Sequence, residues 1–257
     1  MKLFRFKKSD QIAYGVVAND HVQTIHGSIF DAFTMTKAIY ALAEVEWLPP
    51  CEPTKIVAIG RNYREHAKEM GHDVPAEPLL FIKPSTAVIG TKQKVILPPI
   101  SKRVDFEGEV GVVIKKKAYR LGPQENPMDY VLGYTGALDI TARDLQKQDV
   151  QFTRAKGFDT FAPIGPWIET ALNPKDIGLQ TWVNGELRQS GSTRDLIFPI
   201  DYLIRFITEV MTLLPGDVIF TGTPAGVGPL SPGDAVELRI QELGTLAVNV
   251  AMCPCPA

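Results

Sequence analysis

Val104-Asp105-Phe106-Glu107-Gly108-Glu109-Val110-Gly111-Val112-Val113-Ile114 decides how this chain reads. Alternate side chains of an extended strand share a face. Val104, Phe106, Val110, Val112 and Ile114 then line one side, and Asp105, Glu107 and Glu109 the other. Three acids on one face repel each other, and strands disfavour such residues, so positive charge is expected beside them. Gly108, between the glutamates, weakens the strand and admits a close-approaching backbone or ligand. The stretch predicts one long strand of a β-rich protein.

A further acid, Asp139, interrupts the apolar and small residues of Leu132–Ile140. Two glutamates and an aspartate make an all-oxygen donor set with no His or Cys. Hard donors of this kind suit Mg²⁺ or Mn²⁺, and Ca²⁺ less specifically. Three protein ligands leave positions open for water and substrate. The same acids also read as a solvated strand face paired with Lys102, Arg103 or Lys115.

Further strands are predicted at Lys55–Ile59, Leu79–Ile82, Lys94–Leu97, Tyr130–Ile140, Leu179–Val183, Val218–Thr221 and Ala235–Ile240, with helices at Tyr63–Met70, Asp144–Gln148 and Ile200–Thr212. No regular alternation of strand and crossover helix appears, which disfavours a doubly wound parallel sheet. A mixed α/β but β-rich fold of curled sheets is expected. Residues 1–52 read as a small separate α+β unit: alternating strands at Met1–Phe6 and Ile12–Val17, a turn at Lys7–Asp10, then an Ala- and Leu-rich helical stretch over Met35–Glu46. Prolines 49, 50 and 53 mark the entry to a second unit over 53–257.

The 257 residues are 45% hydrophobic and 22% charged with a formal net charge of −2, which gives no electrostatic reason to expect nucleic acid or an anionic membrane as partner. Lys115–Lys117 reads as a strand end running into solvent. No stretch is apolar enough to span a bilayer, and Met1–Phe6 has no signal-peptide core. Cys51, Cys253 and Cys255 form no disulfide framework, and the last two fall in what reads as a frayed tail, so a cytoplasmic location is expected.

Several other groups carry chemistry. Asn62 is placed to cap the helix after the Lys55–Ile59 strand, and His66 and Glu69, three apart, share a face of it. A histidine oriented by a carboxylate can serve as general base, although a charged surface helix has the same spacing. The segment from Asn62 to about Pro75 is short and charged, with Gly60 and Gly71 to absorb a hinge motion, as a mobile lid would have. Lys156, among small and apolar residues, is placed to stabilise a developing anion or simply to pair with an acid. Arg143 and Gln146 follow Asp139 on one short helix, where an arginine can grip a carboxylate or stay solvated. Leu214–Gly228 lacks the Gly-Lys-Ser/Thr of a nucleotide loop, but its backbone N–H groups and the Thr223 hydroxyl can receive a carboxylate.

In this order, Gly60-Arg61-Asn62-Tyr63, Phe81-Ile82-Lys83-Pro84-Ser85, Asp105–Glu109, Gly133-Tyr134 through Asp139, Ala142–Gln146, Lys156–Asp159 and Thr221–Pro224 resemble the fumarylacetoacetate hydrolase family, from Lys55 to the C-terminal region. The resemblance implies a β-roll, a homodimer, and a divalent metal, Mg²⁺ or Mn²⁺, on Glu107, Glu109 and Asp139. It implies that His66 and Glu69 are a dyad on a lid helix, that Lys156 lies by the metal, and that Arg61, Tyr63, Arg143, Gln146 and Thr223 meet substrate. The expected substrate is a small 2-oxo or 2-hydroxy-dienoic acid, chelated so that the metal stabilises an enolate. Isomerisation or C–C hydrolysis of a ring-cleavage product is expected, with oxaloacetate decarboxylation or tautomerisation as the alternative. A non-catalytic carboxylate-binding module and a sugar- or nucleotide-metabolising enzyme are the readings outside this chemistry.

Overall fold

The computed structural model describes residues 1–254; Cys255 lies outside them. A large sheet carries strands in the order Phe33–Ala41, His21–Gly27, Gln11–Ala18, Lys2–Lys8, Ala162–Glu169, Val131–Leu138, Gly108–Ile114, Val218–Phe220, Lys55–Gly60 and Leu79–Pro84. A second sheet runs Glu186–Ser192, Gly178–Val183, Ala235–Ile240, Gly244–Met252 and Lys94–Leu97. A small third sheet joins Thr141–Ala142, Val104–Phe106 and Gly228–Pro229.

Alternation explains the layers. Val110, Val112 and Ile114 pack toward the second sheet, against residues such as Leu179, Leu238 and Leu246. Val113, pointing the other way, joins Ile56, Ala58, Ala137 and Phe220. The central strands are thus apolar on both faces, which leaves a carboxylate there only at a strand end. Among the described residues Ile200–Val210 is the longest helix, and it buries Ile200, Leu203, Ile204 and Ile207 at helical spacing. Short helices span Arg64–Glu69, Arg143–Gln148 and Thr153–Lys156, the last not foreseen from spacing.

Three expectations are corrected. The helix over Met35–Glu46 does not form: Phe33–Ala41 is a strand paired with His21–Gly27, followed by a short 3₁₀ turn at Leu42–Glu44. Cross-strand pairing outweighs the helical leaning of Ala and Leu, so the first unit is built of strands. These strands have their own core of Phe4, Phe6, Val17, Val22 and Val45, yet continue the main sheet through Lys2 opposite Glu169 and Leu3 opposite Ile168. The long strand over Val104–Ile114 is broken at Glu107, and its halves join different sheets. Cys253 is tied in, its N–H donating to Leu97 O at 3.1 Å. Lys115–Lys117 is exposed, as its composition suggested. Among the described residues no helix is long and apolar enough to cross a membrane.

Candidate active site

Glu107, Glu109 and Asp139 come together at the break in that strand. One carboxylate oxygen from each lies within 4.8 Å of the others, and all three residues are buried. The break is held by Asp139 N–H, which donates to Glu107 O at 2.9 Å. A cleft of about 390 Å³ opens over the acids. Its walls include Arg61, His66, Phe81, Arg143, Gln146, Phe152, Lys156 and Thr223.

Cations from separate elements offset most of the negative charge. Lys156, at the end of its short helix, donates to Glu107 Oε2 at 2.7 Å and Asp139 Oδ2 at 2.6 Å. Lys83, wholly buried on the Leu79–Pro84 strand, donates to Asp139 Oδ1 at 2.6 Å and to Ile140 O at 3.2 Å. Arg143 bonds Asp105 Oδ2 and Gln146 Oε1, each at 2.9 Å, and Glu107. Burial pushes the Glu107 carboxyl up, but Arg143 and Lys156 more than offset this and hold it well below the usual carboxylate range. Burial disfavours the charged Lys156, but Asp139 and Glu107 outweigh it and raise its affinity for a proton.

Glu109 differs. Its hydrogen bond is from Gly222 N–H at 2.6 Å, and among the described residues no lysine or arginine forms an ion pair with it. Burial, followed by the charges of Asp139 and Glu107, drives its carboxyl well above the usual range. A buried carboxylate without a cation, beside two more all-oxygen donors, fits a hard divalent ion.

His66 Nδ1 lies 3.1 Å from Glu69 Oε2, and the His66 ring is buried at the cleft wall. Glu69 Oε1 accepts from Gly226 N–H at 3.0 Å, so one carboxylate holds both the histidine and the glycine-rich loop. Asn62 does not cap this helix. Buried, it donates to Thr221 O at 2.8 Å and Phe198 O at 3.1 Å and accepts from Phe198 N–H at 2.8 Å. The helix begins after Tyr63 with no side-chain cap. The left-handed turn into this helical segment falls on Arg61, with φ 57°, and the turn out on Gly71, with φ 72°.

The substrate-contact candidates are placed unevenly. Arg61, Arg143, Gln146 and Thr223 line the cleft, whereas Tyr63 lines an adjoining one and buries its hydroxyl without a partner. All three kinds of Arg143 nitrogen already meet protein oxygens, so it braces Glu107 before any ligand arrives, with its remaining N–H bonds free. The Thr223 hydroxyl donates its proton to Gly108 O at 2.8 Å and accepts from Gln189 Nε2 at 2.7 Å, so it lines the cleft with its hydrogen bonds already made within the protein. Lys83 went unassigned in the sequence reading. Its signal was a lysine inside the apolar run Leu79–Ile82 and Pro84.

The family described as fumarylacetoacetate (FAA) hydrolase C-terminal matches residues 55–251, and one described as Rv2993c-like, N-terminal matches residues 1–50. The crystal structure of 5-carboxymethyl-2-hydroxymuconate delta-isomerase from Mycobacterium smegmatis superposes with a TM-score of 0.92 at 39% identity, over 98% of this chain and all of that one. That of 2-hydroxyhepta-2,4-diene-1,7-dioate isomerase from Mycobacterium marinum gives 0.91 at 38%, over 99% of this chain and all of that one. Oxaloacetate tautomerase YisK of Bacillus subtilis is 43% identical over 227 residues, 82% of this chain and 75% of that protein.

Proposed function

The chain belongs to the fumarylacetoacetate hydrolase family of enzymes, and from that premise we propose that it is an isomerase that moves a proton along the carbon chain of a small 2-oxo or 2-hydroxy-dienoic acid. The observation that carries this reading is a cluster of three buried carboxylates, one lacking a cation, in the same cleft as a carboxylate-oriented histidine. The isomerases and the tautomerase it resembles share one operation, transfer of a proton to or from the carbon next to, or conjugated with, a 2-oxo group.

Glu107, Glu109 and Asp139 would hold a divalent cation, Mg²⁺ or Mn²⁺, which would supply electrophilic polarisation of the substrate's keto and carboxylate oxygens. The protein's own groups do the rest. Lys156 has three N–H donors and spends two on Glu107 and Asp139. The third is left for negative charge developing on the substrate oxygen. His66 takes the proton at one carbon and returns it at another, and Glu69 fixes the ring tautomer for both transfers. Phe81 and Phe152 give the cleft an apolar wall that keeps water from competing for that proton. Backbone N–H groups around Thr223 receive the substrate's carboxylate end.

The likeness to the Bacillus tautomerase makes oxaloacetate the second substrate to try. The test is to incubate the protein and Mn²⁺ with 2-hydroxyhepta-2,4-dienedioate, oxaloacetate or an acylpyruvate, and to follow each by NMR. Isomerisation with the carbon skeleton intact is the expected result. Release of pyruvate from an acylpyruvate assigns hydrolysis instead, and CO₂ from oxaloacetate assigns decarboxylation. An inert protein with Mn²⁺ bound refutes the reading.

A further inference from the structure

Gln189 is 1% exposed, lies outside the cleft lining, and spends its whole amide on the site. Its Oε1 accepts from Gly108 N–H at 2.9 Å. Its Nε2 donates to Thr223 Oγ1 at 2.7 Å and to Pro224 O at 2.8 Å. The orientation is unambiguous, because a backbone N–H can only donate and a backbone carbonyl can only accept.

Gly108 is the residue between the two glutamates. The peptide joining Glu107 to Gly108 is gripped on both edges: Glu107 O accepts from Asp139 N–H, and Gly108 N–H donates to Gln189. The next carbonyl, Gly108 O, takes the Thr223 proton, and Thr223 is itself held by Gln189. One amide therefore sets the turn that presents Glu107 and Glu109 and also the direction of the Thr223 hydroxyl.

The second sheet is shaped for this. Thr181 stands opposite Gln189, but Trp182 stands opposite Leu187, so Arg188 is an extra, bulged residue. A bulge re-aims the side chain beside it. Gly108 faces the resulting pair closely: a Cβ there would come 2.0 Å from Thr181 Oγ1 and 3.2 Å from Gln189 Oε1. Gly226 sits on the bulge itself, where a Cβ would meet Arg188 O at 2.0 Å.

We infer that Gln189 is a positioning residue that orients the Glu107–Glu109 pair toward a divalent cation and the Thr223 loop toward a carboxylate ligand; this rests on the metal reading above. Groups one shell out from metal ligands commonly change affinity roughly 10–100-fold when removed. Two binding measurements test the role without turnover: Mn²⁺ affinity by electron paramagnetic resonance, and oxalate affinity of the Mn²⁺-loaded protein by calorimetry. Gln189→Leu removes every bond and is expected to weaken Mn²⁺ roughly 10–100-fold. Thr193→Val, which deletes a buried hydroxyl bonded to Ile177 N–H away from the cleft, is the control for loss of stability alone and is expected to keep wild-type Mn²⁺ affinity. Gln189→Glu keeps the oxygen facing Gly108 but loses the donors, so it is expected to hold Mn²⁺ at least as well as wild type and oxalate about tenfold less well. If the leucine variant does not fold, the glutamate variant decides. Wild-type affinities in the folded Gln189 variants overturn the Gln189 role alone. Absence of Mn²⁺ binding by the wild type overturns it together with the metal reading.

Discussion

Lys83 and Asp139 meet out of reach of solvent, Nζ 2.6 Å from Oδ1, with both side chains essentially unexposed. Breaking a buried pair from one side typically costs about 3–5 kcal/mol; here Lys156 still pairs with Asp139, which reduces the loss. Lys83→Met is therefore expected to lower the melting temperature of the metal-free protein. A cation bound at the carboxylates replaces the missing charge, so Mn²⁺ should raise the melting temperature more in the variant than in wild type. Equal Mn²⁺ shifts in the two proteins would place Lys83 outside the site's electrostatics.

Glu109 gives a second contrast. Having no cation partner, it is costly to the metal-free fold and valuable to the loaded one. Glu109→Gln is expected to be at least as stable as wild type without metal and to bind Mn²⁺ far less tightly, since a neutral amide is a poorer ligand for a hard cation. Chelation should abolish turnover of the wild type, and Mn²⁺ should restore it. A variant that binds Mn²⁺ like wild type would remove Glu109 from the ligand set.

His66→Ala should leave Mn²⁺ binding intact and lower kcat roughly 10²–10⁴-fold for proton transfer. Decarboxylation, which needs no base, should suffer much less. Hydrogen exchange over Tyr63–Gly71 with and without oxalate measures the lid, and slower exchange with oxalate is expected. Glu69→Ala cuts the bond to Gly226 N–H as well as the bond to His66, so it should raise exchange there even without ligand. Equal, strong protection in every state would mean that the helix does not move.

Asp144 supplies the acid-side test. It accepts from Ser101 Oγ at 2.6 Å, Lys102 N–H at 2.8 Å and Leu145 N–H at 3.0 Å, and so ties the loop before the Val104–Phe106 strand to the helix of Arg143 and Gln146. Burial, the largest single influence, pushes its carboxyl up, but those donors together outweigh it and hold it below the ordinary aspartate value. The unfolded chain then binds the proton more readily, so this contribution is present above the ordinary aspartate pKa and is lost as pH falls through the folded one. Denaturant unfolding of wild type and Asp144→Asn across that range should show the wild-type advantage shrinking with acid. A constant difference would contradict the assignment.

The residues that were legible in the chain are those whose local pattern is abnormal. Acids on a strand face and a lone aspartate in an apolar run marked Glu107, Glu109 and Asp139 as a candidate cluster, whereas the spacing of His66 and Glu69 also suits a charged surface helix and only the family resemblance singled them out. Tertiary partnerships were not legible. Lys83 reaches Asp139 across 56 positions and Gln189 reaches Gly108 across 81, and neither has a neighbour in sequence that hints at the other. Local composition also misled at Met35–Glu46, where pairing with His21–Gly27 decides the conformation. At Asn62 a residue of good capping type is buried instead in bonds to Thr221 and Phe198.

The same distances bear on how the molecule comes to be active. Glu109 is tied to Gly222 across 113 positions and Glu107 to Lys156 across 49. Contacts this remote form slowly, because loop-closure entropy is lost before they reward it. A nascent or half-folded chain therefore has the ingredients of the centre but not the centre. The three carboxylates become one cluster only when these long-range contacts have closed.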